Sequence, residues 1–342
     1  MTLGAVLIAK DEAAKIERCL ASAIAAGVTV VTFVDTGSTD DTLAIAARTC
    51  AGIDFRPYHR PFVDFGTTRS EAFALARGSA SWILALDADM TVEWDADFEP
   101  DPDAAAYMLR MGDPSFEWRL PLLLRGDLPW KSYGVVHEYT ALEDGTLGFR
   151  LPTDAVRVHY SDGSSPEKTA WHLTLLEKAD QSDPRTVFYR AQTLRELGRT
   201  DEAKHEYERR AEMGGWDEEA FYARYLAATL EPDIPTRLAA LLDTWESRPQ
   251  RLEPLHDAVQ LLNRADAHHA AYALSGAVLA PCGDALFLHK WVWSYGLKFE
   301  RSVAAWYVDR PEFERLTAEL LAMDLPASIR AQVERNAGLA AA

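Results

Sequence analysis

The stretch Trp82-Ile83-Leu84-Ala85-Leu86-Asp87-Ala88-Asp89-Met90 decides the fold. Five apolar residues with no charge among them read as a strand buried on both faces, the pattern of a central parallel strand. The strand runs straight into Asp87 and Asp89, two carboxylates one residue apart. In open α/β sheets, ligands bind outside the carboxyl ends of strands, where the strand order reverses. Two acids delivered to that edge suit a hard cation, since Mg2+ is typically held by one or two carboxylates plus substrate phosphates. An Asp-x-Asp pair alone is as readily two solvated surface acids, so its neighbours carry the decision.

Before this strand the chain alternates strand and helix. Leu3 to Ala9 reads as a strand, and Asp11 to Ala26 as a helix with Ile16, Leu20 and Ile24 on one face. Val28 to Val34 is nearly continuous β-branched and aromatic residue, a second buried strand. It ends in Asp35-Thr36-Gly37-Ser38-Thr39-Asp40-Asp41, rich in N-cap residues, and a helix follows through Leu43, Ile45 and Ala47. Ile53 to Tyr58 is a shorter strand and Thr67 to Arg77 a helix. Units in this order predict an α/β domain with a mostly parallel sheet, right-handed crossovers and helices on both faces.

From Asp101 to His159 helical periodicity disappears. Strand-like runs (Ala104 to Met111, Glu117 to Leu124, Gly134 to Thr140) alternate with turn dipeptides such as Asp113-Pro114 and Asp144-Gly145. The acids from Glu93 to Asp103, without a Lys or Arg among them, read as a solvated loop. Beyond Ser165 the pattern is helical, which divides the chain into an α/β domain over 1–163 and an all-α domain over 164–342. Ala191, Leu194, Ala203 and Tyr207 recur as Ala258, Leu261, Ala270 and Leu274, with Ala277 beyond them. The two blocks lie two periods of about 34 residues apart, the signature of tetratricopeptide-like repeats. Trp216, Trp245, Trp291, Trp293 and Trp306 read as packing between those helices or as the lining of an acceptor groove.

At 342 residues each part is long enough to bury a core. A net charge of -18, spread over both parts, argues against a nucleic-acid partner. The apolar start, Met1 to Ala9, lacks a basic lead and reads as a first strand; no run is long enough to span a membrane. Cys19, Cys50 and Cys282 stand singly, as in a reducing cytoplasm.

Three segments are expected at the carboxyl edge of the sheet: Ala9-Lys10-Asp11-Glu12, Asp35-Thr36-Gly37-Ser38 and Asp87-Ala88-Asp89. Asp35 offers carboxylate oxygens to the N–H donors of a base or to a ribose, or serves simply as a cap. Arg69, in the first turn of its helix, stands against the dipole preference and is suited to an anion such as a diphosphate, or is a plain surface arginine.

Leu7-Ile8-Ala9-Lys10-Asp11-Glu12, Val34-Asp35-Thr36-Gly37-Ser38-Thr39-Asp40, Arg69 in an Arg-x-x-Ala-x-x-x-Ala helix and Leu84-Ala85-Leu86-Asp87-Ala88-Asp89 resemble the family 2 glycosyltransferases of GT-A fold. The chain is most similar to the branch with tetratricopeptide repeats after the catalytic domain, which includes S-glycosyltransferases of bacteriocin peptides. Asp11 stands where that branch usually has Asn, and Thr68-Arg69-Ser70 where it has Ala-Arg-Asn. The resemblance implies a nucleotide-sugar donor, UDP-linked, with Mn2+ or Mg2+. It implies that Ala9, Asp35 and the neighbouring Asp11 serve the nucleoside, Arg69 the base or diphosphate, Asp87 the ribose or metal, and Asp89 the metal.

An inverting transfer also needs a base for the acceptor's proton. His137-Glu138, after Trp130-Lys131-Ser132-Tyr133-Gly134-Val135-Val136, is similar to a stretch at the active-site mouth of relatives: Glu138 is the expected base, and His137 a metal ligand or an acceptor-orienting group. Asp113 and Asp127 are the alternative carboxylates, and His159 is a further candidate metal ligand. The expected acceptor is a peptide or protein held partly by the helical domain; a modified nucleobase or a small glycan is the alternative. The helical domain also offers a surface for homo-oligomers. A nucleotidyltransferase would need a Gly-rich loop after strand one, and Ala9 to Ala14 has no Gly. A repeat scaffold with a vestigial transferase domain would not need Asp87, Asp89 and Glu138 together.

Overall fold

Side-chain alternation within two short strands builds the centre of the N-terminal unit. In β1 (Leu3–Ala9), Leu3, Ala5, Leu7 and Ala9 enter one core layer while Val6 and Ile8 enter the opposite one. The strand Trp82–Leu86 does the same, with Trp82, Leu84 and Leu86 on the first side and Ile83 and Ala85 on the second. Both strands therefore have no wet face, as a central parallel strand requires. The computed structural model describes residues 1–113, 116–160, 165–276, 283–284 and 286–341.

In chain order the first unit runs α1 (Ile16–Ala25), β2 (Val28–Asp35), α2 (Thr42–Thr49), β3 (Asp54–His59), α3 (Phe65–Ala76) and β4 (Trp82–Leu86). It continues through β5 (Met90–Trp94), β6 (Ala106–Asp113), β7 (Phe116–Arg125), β8 (Trp130–Tyr133), β9 (Tyr139–Leu142), β10 (Arg150–Tyr160) and α4 (Pro166–Lys178). Eight strands form one sheet in the order β3-β2-β1-β4-β7-β6-β10-β5, parallel from β3 to β4 and again between β6 and β10. Residues of α1 and α2 (Ile16, Cys19, Leu20, Ala23, Ala46) fill one core layer. Residues of α3 (Ala72, Phe73, Ala76) and Trp130 of β8 fill the other. The expected α/β class, with helices on both faces of a mostly parallel sheet, is observed. The order reverses at β1, between β2 and β4, and this is where a ligand crevice belongs.

Three local expectations are corrected. The run read as a solvated loop from Glu93 begins inside β5, where Met90 and Val92 are buried and alternate with Thr91 and Glu93. Gly134 to Thr140 is not a strand. Gly134 to Glu138 is the connection between β8 and β9, with Gly134 and His137 at positive φ (107° and 54°), and only Tyr139 and Thr140 are extended, as the start of β9. The helix expected from Asp11 starts only at Ile16, because Asp11 itself has φ 53°. Asp and Asn tolerate that region better than other side chains.

The chain separates into compact units at Ala179/Asp180, so α4 counts with the first unit and not with the helical part. Its Trp171 packs on Phe62 and Phe65, at ring-centroid distances of 5.4 and 5.7 Å. The second unit is all helical over its described residues: α5 (Pro184–Glu196), α6 (Thr200–Glu212), α7 (Asp217–Leu230), α8 (Ile234–Ser247), α9 (Glu253–Arg264), α10 (His268–Leu274), α11 (Leu297–Val308), α12 (Arg310–Leu321) and α13 (Ala327–Ala341). Asp183, Asp233 and Asp309 cap α5, α8 and α12, each with a proline in the first two helical positions. The starts of α6, α8 and α10 recur every 34 residues. Ala191, Leu194, Ala203, Tyr207 and Ala258 are buried as the offsets predict. Ala270 is not: it is exposed and its neighbour Ala271 is buried, a shift of one residue in the helix face. Ala277 and Cys282 lie outside the described residues, as does Pro114. Of the indoles singled out, Trp216 and Trp291 are exposed, and Trp306 lies under the Arg310 guanidinium at 3.5 Å. No helix among the described residues is long and apolar enough to cross a membrane.

One close approach fixes how α3 meets the β8–β9 connection. A Cβ on Gly66 would lie 2.4 Å from the Gly134 carbonyl oxygen and 3.1 Å from that of Ser132. The Ser70 hydroxyl meets the Ser132 backbone N–H and carbonyl (2.9 and 3.1 Å), and the Phe65 N–H donates to Val135 (3.2 Å). Gly66→Ala is therefore expected to push this connection off α3 and to destabilise the protein by about 1–3 kcal/mol, measured by urea unfolding.

Candidate active site

β1 and β2 end level, Ala9 in register with Asp35, and β4 ends two residues earlier, with Leu86 opposite Leu7. Above these ends lies a cavity of about 1050 Å3. Ala9, Lys10, Thr36, Asp87 and Asp89 line it from the strand ends, Arg69 from α3, and His137 and Glu138 from the β8–β9 connection. The three strand ends thus converge as the sequence implies.

Arg69 ties the site together. Its Nη2 donates to Asp87 Oδ1 at 2.7 Å and its Nε to Glu138 Oε1 at 2.8 Å. Burial works against the guanidinium's charge, but Asp87 and Glu138 outweigh it and hold Arg69 well above the usual arginine range. Because α3 starts at Phe65, Arg69 is past the first turn, so its position owes nothing to the helix dipole. Glu138 is mostly buried, and its Oε2 makes no hydrogen bond among the described residues. Asp87 is the more open partner, with 43% of its side chain exposed.

Asp11 and Asp35, expected at the nucleoside, do not line the cavity. Asp11 Oδ1 accepts from the Thr39 N–H and hydroxyl (2.7 and 3.1 Å), stapling the end of β1 to the loop after β2. Asp35 is buried and accepts from the N–H groups of Gly37 and Ser38 (3.3 and 3.2 Å) and faces His59 Nδ1 at 3.1 Å. Burial would raise its carboxyl; the Ser38 hydrogen bonds, followed by His59 and Gly37, prevail and hold it below the usual range. Both acids shape the loop whose Thr36 faces the cavity.

His137 reaches the cavity, its ring 6.0 Å from that of His172. His159 does not: it sits at the β10–β5 pairing opposite Thr91, with Nε2 3.4 Å from Glu93. Of the alternative carboxylates, Asp127 is outside the cavity and bound to Arg125 at 3.0 Å, and Asp113 closes β6. Sequence reasoning passed over Phe62, Phe65, Lys168, Trp171 and His172, which also line the cavity. No motif marks them, since α4 reaches the cavity only through tertiary packing.

No group of three or more His, Cys, Asp or Glu suited to a metal ion occurs among the described residues. What the cavity does offer is two carboxylates on one turn, the oxygen set that Mg2+ or Mn2+ uses when phosphate oxygens complete its shell.

Residues 5–110 match the model of glycosyl transferase family 2. The N-terminal unit therefore carries a family 2 glycosyltransferase domain, and the match takes in Arg69, Asp87 and Asp89. No curated protein sequence matches the chain. Among solved structures it is similar to glucosyl-3-phosphoglycerate synthase from Mycobacterium tuberculosis with Mg2+ and uridine diphosphate: 26% identity over 26% of this chain and 34% of that one, TM-score 0.22. TarS of S. aureus is 13% identical over 72% of this chain and 54% of its own, TM-score 0.39. Its 1–349 fragment with UDP-GlcNAc is 12% identical over 90% and 91%, TM-score 0.36. The chain thus spans about a third to a half of the first two of these proteins. At such TM-scores the fold rests on the chain's own sheet order.

His172 supplies a test of this geometry. Burial, then the neighbouring His137 and Lys168, lower its pKa to about 4. The unfolded chain therefore binds this proton more readily between about pH 6.5 and pH 4. Stability contributed by neutral His172 is complete above that window and is lost as pH falls through it. His172→Phe is expected to flatten the decline by up to roughly 1.4 kcal/mol per pH unit, read from urea unfolding at pH 7, 6 and 5 against wild type.

Proposed function

We propose that the chain is an inverting, metal-dependent glycosyltransferase that moves a sugar from a nucleotide sugar, UDP-linked in our reading, to an acceptor nucleophile. The observation that carries this is Arg69 joining Asp87, of the Asp-x-Asp turn, to Glu138 across a cavity at the strand-order reversal. Donor contacts fall to Ala9, Lys10, Thr36 and Arg69. Asp89, with Asp87, would hold Mn2+ or Mg2+, which when bound supplies Lewis-acid stabilisation of the diphosphate leaving group.

Glu138 pairs with a guanidinium as a carboxylate, the form a general base needs, and Oε2 remains to take the acceptor's proton. The deprotonated acceptor attacks the anomeric carbon from the face opposite the diphosphate. The bond to the nucleotide breaks, and UDP carries away the electron pair. Arg69 and Lys10 offset the charge that grows on the leaving group.

The 34-residue recurrence of α6, α8 and α10 supports a tetratricopeptide-like reading of the second unit. Such arrays present binding surfaces, which accords with a part in holding the acceptor. The buried free thiols of Cys19 and Cys50 accord with a reducing, cytoplasmic setting.

UDP release from UDP-sugars, screened donor by donor, should require Mn2+ or Mg2+ and stop on chelation. Asp89→Ala should lower it about 100-fold or more. Turnover without metal, or full activity of Asp89→Ala, would refute the reading. Glu138→Gln should keep UDP binding by calorimetry yet reduce transfer about 100-fold or more.

A further inference from the structure

The cavity has a second wall that donor chemistry leaves unused. Phe62, Phe65 and Trp171 pack ring against ring, with centroids 5.2 to 5.7 Å apart. Trp171 nonetheless keeps 41% of its surface exposed, an indole held rigid by its neighbours with a face left open. His172 continues the wall, 5.8 Å from Phe65 and 6.0 Å from His137, so it reaches the connection that bears Glu138. Its Nε2 is buried without a hydrogen-bond partner among the described residues. A buried polar atom left unpaired costs stability that a ligand's hydrogen bond would return. Lys168, one helical turn before His172, lines the same cavity and has no carboxylate within ion-pair distance among the described residues. In a chain of net charge -18, a lysine at a cavity wall with no carboxylate partner among the described residues suits an anion.

We infer that this wall is the acceptor subsite and that the acceptor is a sugar carrying a phosphate or carboxylate group. The apolar face of the sugar ring lies on Trp171, a ring hydroxyl bonds His172 Nε2, and the anionic group pairs with Lys168. Another hydroxyl faces Glu138, loses its proton to that carboxylate and forms the new bond to the anomeric carbon as UDP departs. The assignment rests on the transferase reading. An extended peptide would need a row of backbone partners, whereas this wall offers one ring nitrogen, one cation and an aromatic face.

Calorimetry on the full chain with UDP and Mn2+, titrated with glucose 6-phosphate, glucuronate, glucose and a Ser/Thr peptide, tests this. The two anionic sugars should bind at least tenfold more tightly than glucose. Lys168→Met should erase that preference, and Trp171→Ala should weaken all three sugars at least fivefold, with Trp171→Phe restoring most of the loss. Thermal unfolding of each variant separates a lost contact from a lost fold. Equal affinity for charged and neutral sugars, indifference to both substitutions, binding of the peptide alone, or no binding of any probe overturns the assignment. If UDP itself fails to bind with Mn2+, the transferase reading falls and takes the subsite with it. If UDP binds and the anionic sugars do not, only the subsite falls.

Discussion

One guanidinium between two carboxylates organises the N-terminal unit. Arg69 is only 12% exposed and Glu138 15%, so neither charge would be tolerated there alone. Removing a charge from water costs several kcal/mol, and pairing offsets this only when geometry is good on both sides. Arg69 meets the condition with a separate N–H for each acid. The arrangement links α3, the end of β4 and the β8–β9 connection, three segments far apart in the chain. Their common meeting point is the cavity.

Holding that triad in place is the task of contacts that do no chemistry. Gly66 lets the first turn of α3 approach the β8–β9 connection, and Ser70 fastens to Ser132 on both backbone groups. Small side chains at these two positions set the distance over which Arg69 must reach Glu138. Ser70 makes both contacts through one atom. A hydroxyl can donate and accept at one atom, as the paired contacts to Ser132 require. On the other side, Asp11 fastens the loop after β1 to the loop after β2, and Asp35 braces the second loop from within, without either acid facing the cavity.

How much of this was legible follows from the range of the forces involved. The strands around Val31 and Leu84, the sheet class and the acids of β4 are written in local periodicity, which one sequence displays. β5 was hidden because Glu93 and the acids after it dominate a composition reading, although Met90, Val92 and Trp94 alternate with period two. Gly134 to Val136 resembles a strand in composition, and only positive φ at Gly134 and His137 turns it into a connection. Asp35 reads equally as cap or ligand, and its two N–H donors and His59 show which contacts it makes. Phe62 and Trp171 are more than a hundred residues apart, and no spacing rule could have joined them.

The two acids of the Asp-x-Asp turn are not equivalent once Arg69 is considered. Asp87 already spends Oδ1 on the guanidinium, so a divalent ion there would share its carboxylate with a fixed positive charge. Two cations on one carboxylate repel, and the repulsion is relieved only when further negative charge arrives. A diphosphate brings that charge. On the proposed reading, metal and nucleotide therefore bind with positive coupling, each raising the other's affinity by the same factor, as linkage requires. Asp89, whose side chain takes no part in the Arg69 bridge, would carry the metal before the donor comes. Asp87 would join fully only in the ternary state, and Arg69 would then turn part of its field toward the departing diphosphate.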